Sequence, residues 1–344
     1  MKLKNISRLL FFTSAVIFLA SSCVKEGPMG PAGADGTNGK NGVDGAAGTV
    51  TCLACHSGTA MDQKKGEFAM SEHAVGAVAV AYAGGRKDCA RCHSSQGFIE
   101  YATLGSVAGD ISNPSAWECA TCHGLHKTFE AADYALRLGA AAVASNIDAT
   151  YKFDFKNNSN LCVNCHQART PEPNKEKPGT TYKITNTHYG PHHGPQGNVL
   201  AGVGFAEIPG AVAYPAPGSA KHYAGACTSC HMAPFSKAQG GHSLIPNLDA
   251  CNTCHKASDT SYDHNGVQTE ISADLVKLRD LLIAKGVVAQ NTDGTYSPVV
   301  GTYPMVQAQA YYNWIGITED RSEGVHNPAY VRALLLNTIA ALSK

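Results

Sequence analysis

One five-residue pattern takes up twelve of the chain's 13 cysteines. CxxCH stands at Cys52–His56, Cys89–His93, Cys119–His123, Cys162–His166, Cys227–His231 and Cys251–His255. No other feature constrains the fold as strongly. Two thiols two residues apart match the two vinyl groups of a haem, and the histidine that follows is held against the iron as an axial ligand. Zinc takes four ligands, usually from two CxxC pairs, and has no use for a histidine after each pair. A thioredoxin-like redox site would occur once, in a βαβ setting. Disulfides would not repeat one spacing six times. The expected cofactors are therefore six c-type haems with their iron. They would be attached through Cys52, Cys55, Cys89, Cys92, Cys119, Cys122, Cys162, Cys165, Cys227, Cys230, Cys251 and Cys254. The proximal ligands would be His56, His93, His123, His166, His231 and His255.

The second axial position separates a carrier from a catalyst. Of 15 histidines, nine lie outside the motifs: His73, His126, His188, His192, His193, His222, His242, His264 and His326. Nine candidates for six irons leave no haem forced to stay five-coordinate. Methionine competes weakly. Met232 directly follows His231 and cannot reach the opposite face of its own haem, and abundant histidine makes Met61, Met70 and Met305 unnecessary.

The segments around these histidines resemble the bis-histidine multihaem cytochromes c, including hexahaem and octahaem electron carriers. The resemblance covers about residues 52–344. "SEHAVGAVAVAYAGGRKDCARCH" sets a free His73 ahead of a haem site, and "CATCHGLH" puts His126 three residues after His123. "HYGPHHGPQGNVLAG" resembles the family's HHGPQ segment, in which His192 and His193 compete for the ligand role and His188 is less favoured. His222 precedes Cys227 by five residues, His242 sits in "GGHSLIPNLDACNTCH", and His326 opens "GVHNPAYVRALLL". The resemblance thus implies distal ligands at His73, His126, one of His192 and His193, His222, His242 and His326. His264, in the turn-like "SYDHNG", is expected on the surface.

Residues 1–22 read as a signal peptide: Lys2, Lys4 and Arg8 precede an apolar run from Leu9 to Ala20, too short to span a bilayer comfortably. "LASSC" resembles a lipobox, and Cys23, the cysteine outside the motifs, is expected to be lipidated. Residues 23–50 carry the anchor and a linker with glycine at every third position from Gly27 to Gly48, the collagen period. As a coil this spacer would reach on the order of 25 Å, and roughly 70 Å fully extended. Formal net charge is zero, which gives no electrostatic case for nucleic acid.

The first cysteines of successive motifs are separated by 37, 30, 43, 65 and 24 residues, so the motifs form no clean repeat. Large aliphatic residues are sparse between them. The expected fold is mainly α with extensive loops, a haem stack serving as core in residues 51–265. Short helices such as 131–143 are expected among the loops, and a helical cap over residues 266–344 packs on the haem region. In that cap "SADLVKLRDLLIAKG" reads as a helix with Ser272 as cap and Gly286 as stop, and "NPAYVRALLLNTIAALS" as a helix capped by Asn327 with Pro328 in its first turn.

The resemblance implies electron transfer between envelope donors and a periplasmic or extracellular acceptor, from an outer-membrane lipoprotein. The partners would be other cytochromes, quinol-oxidising complexes or terminal reductases, with homo-oligomers or filaments left open. The alternative is a reductase of the nitrite, hydroxylamine or tetrathionate class with one open-site haem. The CxxCK motif typical of multihaem nitrite reductases is absent from the sequence.

Overall fold

The computed structural model describes residues 57–76, 79–124, 135–255 and 260–344. Cys23, the first CxxCH motif and His126 lie outside the described residues, as does the linker.

Up to His255 the helices are short. Those used below are α1 (Gly58–Ala69), α2 (Lys87–His93), α3 (Ser95–Leu104), α4 (Cys119–Cys122), α5 (Ser159–Cys162), α6 (Gln196–Ala201), α7 (Ala226–His231) and α8 (Leu248–Cys251). Loops join them, with a two-residue ribbon in which β1 (Ala142–Val143) pairs antiparallel with β2 (Lys152–Phe153). This ribbon corrects the expected helix over 131–143. Described from residue 135 onward, that stretch holds turns and a strand. The alanine-rich run instead turns its small side chains inward, and Ala142 and Ala144 pack with Phe153, Phe155, Val163 and Leu200 in a minor apolar cluster.

Helix α2 packs against α3 through Gly97. A Cβ there would lie 2.4 Å from the Ala90 carbonyl carbon, so only glycine permits the approach. It fixes the second CxxCH against the next helix.

The large core lies in the C-terminal part. Three helices build it: α9 (Val267–Ala284), α10 (Met305–Asp320) and α11 (Pro328–Leu342). Ile271, Leu278 and Leu282 form the buried stripe of α9, and Val331, Leu334, Leu335 and Leu342 that of α11. Asn327 caps α11 by accepting from the Tyr330 amide at 3.2 Å, with Pro328 at the first position. Helix α9 begins five residues before the expected Ser272. The Asp263 carboxylate takes its first free amides, Gln268 at 2.7 Å and Thr269 at 3.3 Å, and Gly266 precedes the helix in the left-handed region.

Helix α10 was not legible as an amphipathic stripe because it is buried on most sides: Ala308, Ala310, Tyr311, Tyr312, Asn313, Trp314, Gly316 and Ile317 are all enclosed. Its polar groups are satisfied internally. Tyr312 donates to the Thr170 carbonyl at 2.6 Å, and Asn313 clasps Ala206 through both amide and carbonyl. Strand β3 (Thr181–Ile184), from among the motifs, pairs antiparallel with β6 (Gly301–Pro304), which leads into α10. Between them in sequence, β4 (Val288–Gln290) and β5 (Tyr296–Pro298) form a hairpin beside α9. Through these contacts α10 runs beneath the loops that carry the histidines.

Candidate haem-binding centre

Each described CxxCH is one helical turn. The backbone amide of the histidine donates to the carbonyl of the first cysteine: His123 to Cys119 at 3.0 Å, His166 to Cys162 at 3.0 Å, His255 to Cys251 at 2.8 Å. A turn of 3.6 residues brings positions i, i+3 and i+4 to one face. Two thiols and an imidazole therefore point the same way, as thioether attachment beside an axial ligand requires. All ten described motif cysteines are free thiols.

The far imidazoles follow a spacing rule. An imidazole nitrogen sits about 2 Å from a first-row metal and roughly 1 Å from its own ring centre, so two rings facing one iron have centres about 6 Å apart. His73 lies 5.9 Å from His166, His192 lies 6.0 Å from His93, His222 lies 6.2 Å from His255, and His326 lies 6.5 Å from His231. His242 is close enough to His123 to feel its charge. Each described proximal histidine thus has one histidine from the expected distal set nearby. Among the described residues no three His, Cys, Asp or Glu side chains converge on one point.

Nδ1 contacts orient these rings. His231 Nδ1 lies 2.7 Å from the Leu244 carbonyl, His222 Nδ1 lies 2.6 Å from that of Val325, and His166 Nδ1 is 3.1 Å from Gln196 Oε1. A ring that donates Nδ1–H to an oxygen keeps its lone pair on Nε2, the metal-binding tautomer. At His192 the converse is visible: Nε2 is buried without a hydrogen-bond partner. Such an orphan costs free energy unless something absent from the protein chain takes it. Burial, then the nearby Arg169, push the His192 pKa down to about 4, and burial, then His166, do the same to His73. Both rings are neutral at pH 7, the form that binds iron.

His193 behaves differently. Its Nδ1 pairs with Glu319 at 2.9 Å, its side chain is 69% exposed, and the Glu319 hydrogen bond raises its pKa. Of the two competing histidines, His192 faces a proximal ring and His193 faces a carboxylate. His188 is exposed. His264 is not out in solvent as expected: its ring is half-buried, 3.7 Å from that of His255. That is stacking distance, too short for an iron between the rings. Neither Arg169 beside His192 nor Gln196, which bonds His166 and the carbonyls of Glu319 and Asp320, is marked by a sequence motif.

His242 sits beside a left-handed pair, Gly240 and Gly241. A Cβ on Gly241 would meet Glu67 Oε2 at 2.4 Å. The glycine therefore admits the buried Glu67 carboxylate, which accepts from the His242 amide at 2.9 Å. The contact clasps this loop to helix α1.

The motifs also touch one another out of sequence order. Cys92 of the second motif lies beside Cys165 of the fourth, and Cys162 of the fourth beside Cys227 of the fifth, close enough for each thiol to shift its neighbour's pKa. Arg91 donates to the Asn164 carbonyl at 2.8 Å, Ser159 accepts from the Thr228 amide at 3.1 Å, and the Asn247 amide donates to the Cys230 carbonyl at 2.9 Å. Motifs two, four, five and six form a contiguous row, and the third joins at its side through a 2.6 Å bond from Ser95 to Thr121.

No family model and no curated protein matches the chain. Among solved structures it resembles the outer cell wall cytochrome OcwA, with a TM-score of 0.51 and 18% identity over 81% of this chain. The chain spans half the length of that protein. The fold, helices and loops around CxxCH turns, is that of a multihaem cytochrome.

Proposed function

We propose that the chain is a multihaem c-type cytochrome that carries electrons, with six bis-histidine haems. The observation that carries this reading is the set of four imidazole pairs whose ring centres lie 5.9 to 6.5 Å apart. The proposed axial pairs are His166 with His73, His93 with His192, His255 with His222, His231 with His326 and His123 with His242. His126 is the remaining distal ligand and His56 the remaining proximal one. Bound haem would supply one-electron chemistry at low potential, as bis-histidine ligation favours.

The protein's own contribution is positional. Cysteine pairs would hold each porphyrin, and backbone carbonyls orient the rings of His222 and His231. The contact of motifs two, four, five and six would bring neighbouring haems close together, which suits conduction along a row better than a single catalytic centre. Filling both axial positions at every described pair leaves the reductase reading with no supporting observation of its own.

We further propose export and lipidation at Cys23 on the sequence signal. That would place the chain in the cell envelope on a short tether, with other redox proteins as partners. Retention of a Cys23→Ser variant in the membrane fraction, normally processed, would contradict the anchor. The carrier reading is tested by His326→Ala. One haem should turn high-spin and bind carbon monoxide, and the unmodified protein should not. A variant that stays wholly low-spin refutes the assignment.

A further inference from the structure

We propose that Asp320 sets the redox potential of the haem held by His231 and His326 and makes it harder to reduce than a neutral partner in its place would. The inference rests on the axial pairing proposed above.

The Asp320 side chain has no solvent exposure, and its Oδ1 lies 2.7 Å from His326 Nδ1. Its other oxygen accepts from Ser322 Oγ, and the Ser322 hydroxyl in turn accepts from the His326 amide at 3.3 Å. Among the described residues no lysine or arginine pairs with this carboxylate. The contact is therefore direct and shielded from water.

Other candidate ligands are bonded differently. His166 meets an amide oxygen, and His222 and His231 meet backbone carbonyls. Glu67 stands 3.7 Å from His242 Nδ1, too far for a hydrogen bond, and spends itself on the His242 amide and on Gln63. Against these four rings, His326 differs in meeting a buried carboxylate at hydrogen-bond distance.

A carboxylate accepting Nδ1–H draws the proton toward itself and gives the ring imidazolate character. Nε2 becomes a stronger donor, which favours the oxidised iron. A neutral carbonyl does this weakly. In a buried site the effect is not screened by water. The fifth motif sits between the fourth and the sixth in the row, so the device acts inside the row.

The test is a spectroelectrochemical titration of the holoprotein carrying Asp320→Asn, which keeps the shape and an acceptor oxygen but removes the charge. One haem's midpoint should rise, the others should hold, and every haem should stay low-spin. An unmoved titration curve means Asp320 only braces the loop, and overturns the inference. Glu319→Gln removes the same charge one residue away. If it lifts the same haem as far, the effect is a general field and the inference fails. Should Asp320→Asn not accumulate, Ser322→Ala carries the test with opposite sign: freed of one donor, the carboxylate pulls harder on His326 and the midpoint falls, and no change overturns the inference. The His326→Ala spectrum separates the two readings. If it shows no high-spin haem, the axial pairing fails. If it shows one while Asp320→Asn moves nothing, only the role of Asp320 fails.

Discussion

Gly197→Ala should loosen the fourth haem site. Gly197 opens α6 against the fourth motif, donating its amide to the His166 carbonyl at 2.9 Å. A Cβ there would stand 2.3 Å from Val163 Cγ2 and 2.9 Å from the His166 carbonyl oxygen, where ordinary contacts begin near 3.4 Å. Relief requires the helix to retreat by roughly 1 Å, and overpacking of that kind costs about 1–3 kcal/mol. The retreat also strains the amide–carbonyl bond, worth about 1 kcal/mol. The expected loss is about 2–4 kcal/mol, read as a lower guanidinium midpoint at unchanged slope. Because Gln196 holds His166 Nδ1 from the adjacent position, the same retreat should weaken axial ligation and raise a partial high-spin signal. Adding Val163→Ala removes the nearer clash and leaves the carbonyl one, so the double variant should show favourable coupling of about 1–2 kcal/mol in a mutant cycle. A Gly197→Ala protein within about 0.5 kcal/mol of the parent, or a cycle without coupling, would refute the packing argument.

Other outcomes follow from the same geometry. His192→Ala should open one coordination position, seen as a high-spin haem that binds carbon monoxide, whereas His193→Ala should leave the spectrum unchanged; the reverse result would exchange their roles. His222→Ala should likewise open the sixth-motif haem, and His264→Ala should not, since a ring 3.7 Å from His255 leaves no room for iron between them. The ion pair from Arg332 of α11 to Glu270 of α9, with Nε–O 2.8 Å, holds the Glu270 carboxyl below its ordinary value of 4.5. Its stabilisation is present above pH 4.5 and lost as pH falls through the lowered value. Both groups are over a third exposed or nearly so, so the pair is worth less than about 1 kcal/mol, and Glu270→Gln should flatten that part of the acid limb in a pH series of denaturant midpoints.

What the sequence disclosed depended on how local the signal was. CxxCH is complete within five residues and needs no tertiary partner, so every proximal histidine could be placed directly. Asn327–Pro328 likewise announces α11 by its own capping chemistry. Gly197 could be seen but not explained, because its reason is Val163, 34 positions earlier in the chain. His192 and His193 are neighbours with equal local signals, and only tertiary contacts distinguish them, His93 beside the first and Glu319 of α10 beside the second. The buried helix α10 lacks the two-faced pattern that reveals surface helices, so the segment that positions Gln196, Glu319 and Asp320 went unread. The expected helix over 131–143 failed for the opposite reason: alanine propensity is a weak preference, and close packing around Phe153 overrode it from residue 135 onward.

The central claim is that imidazole pairs close both faces of every haem. Low-temperature electron paramagnetic resonance of the purified, fully oxidised holoprotein, with haem quantified on the same sample, tests it most directly. The account predicts six haems per chain, all low-spin, with no signal in the high-spin ferric region. A stoichiometric high-spin signal that shifts on adding nitrite or hydroxylamine would contradict it and make one of these centres a site of catalysis.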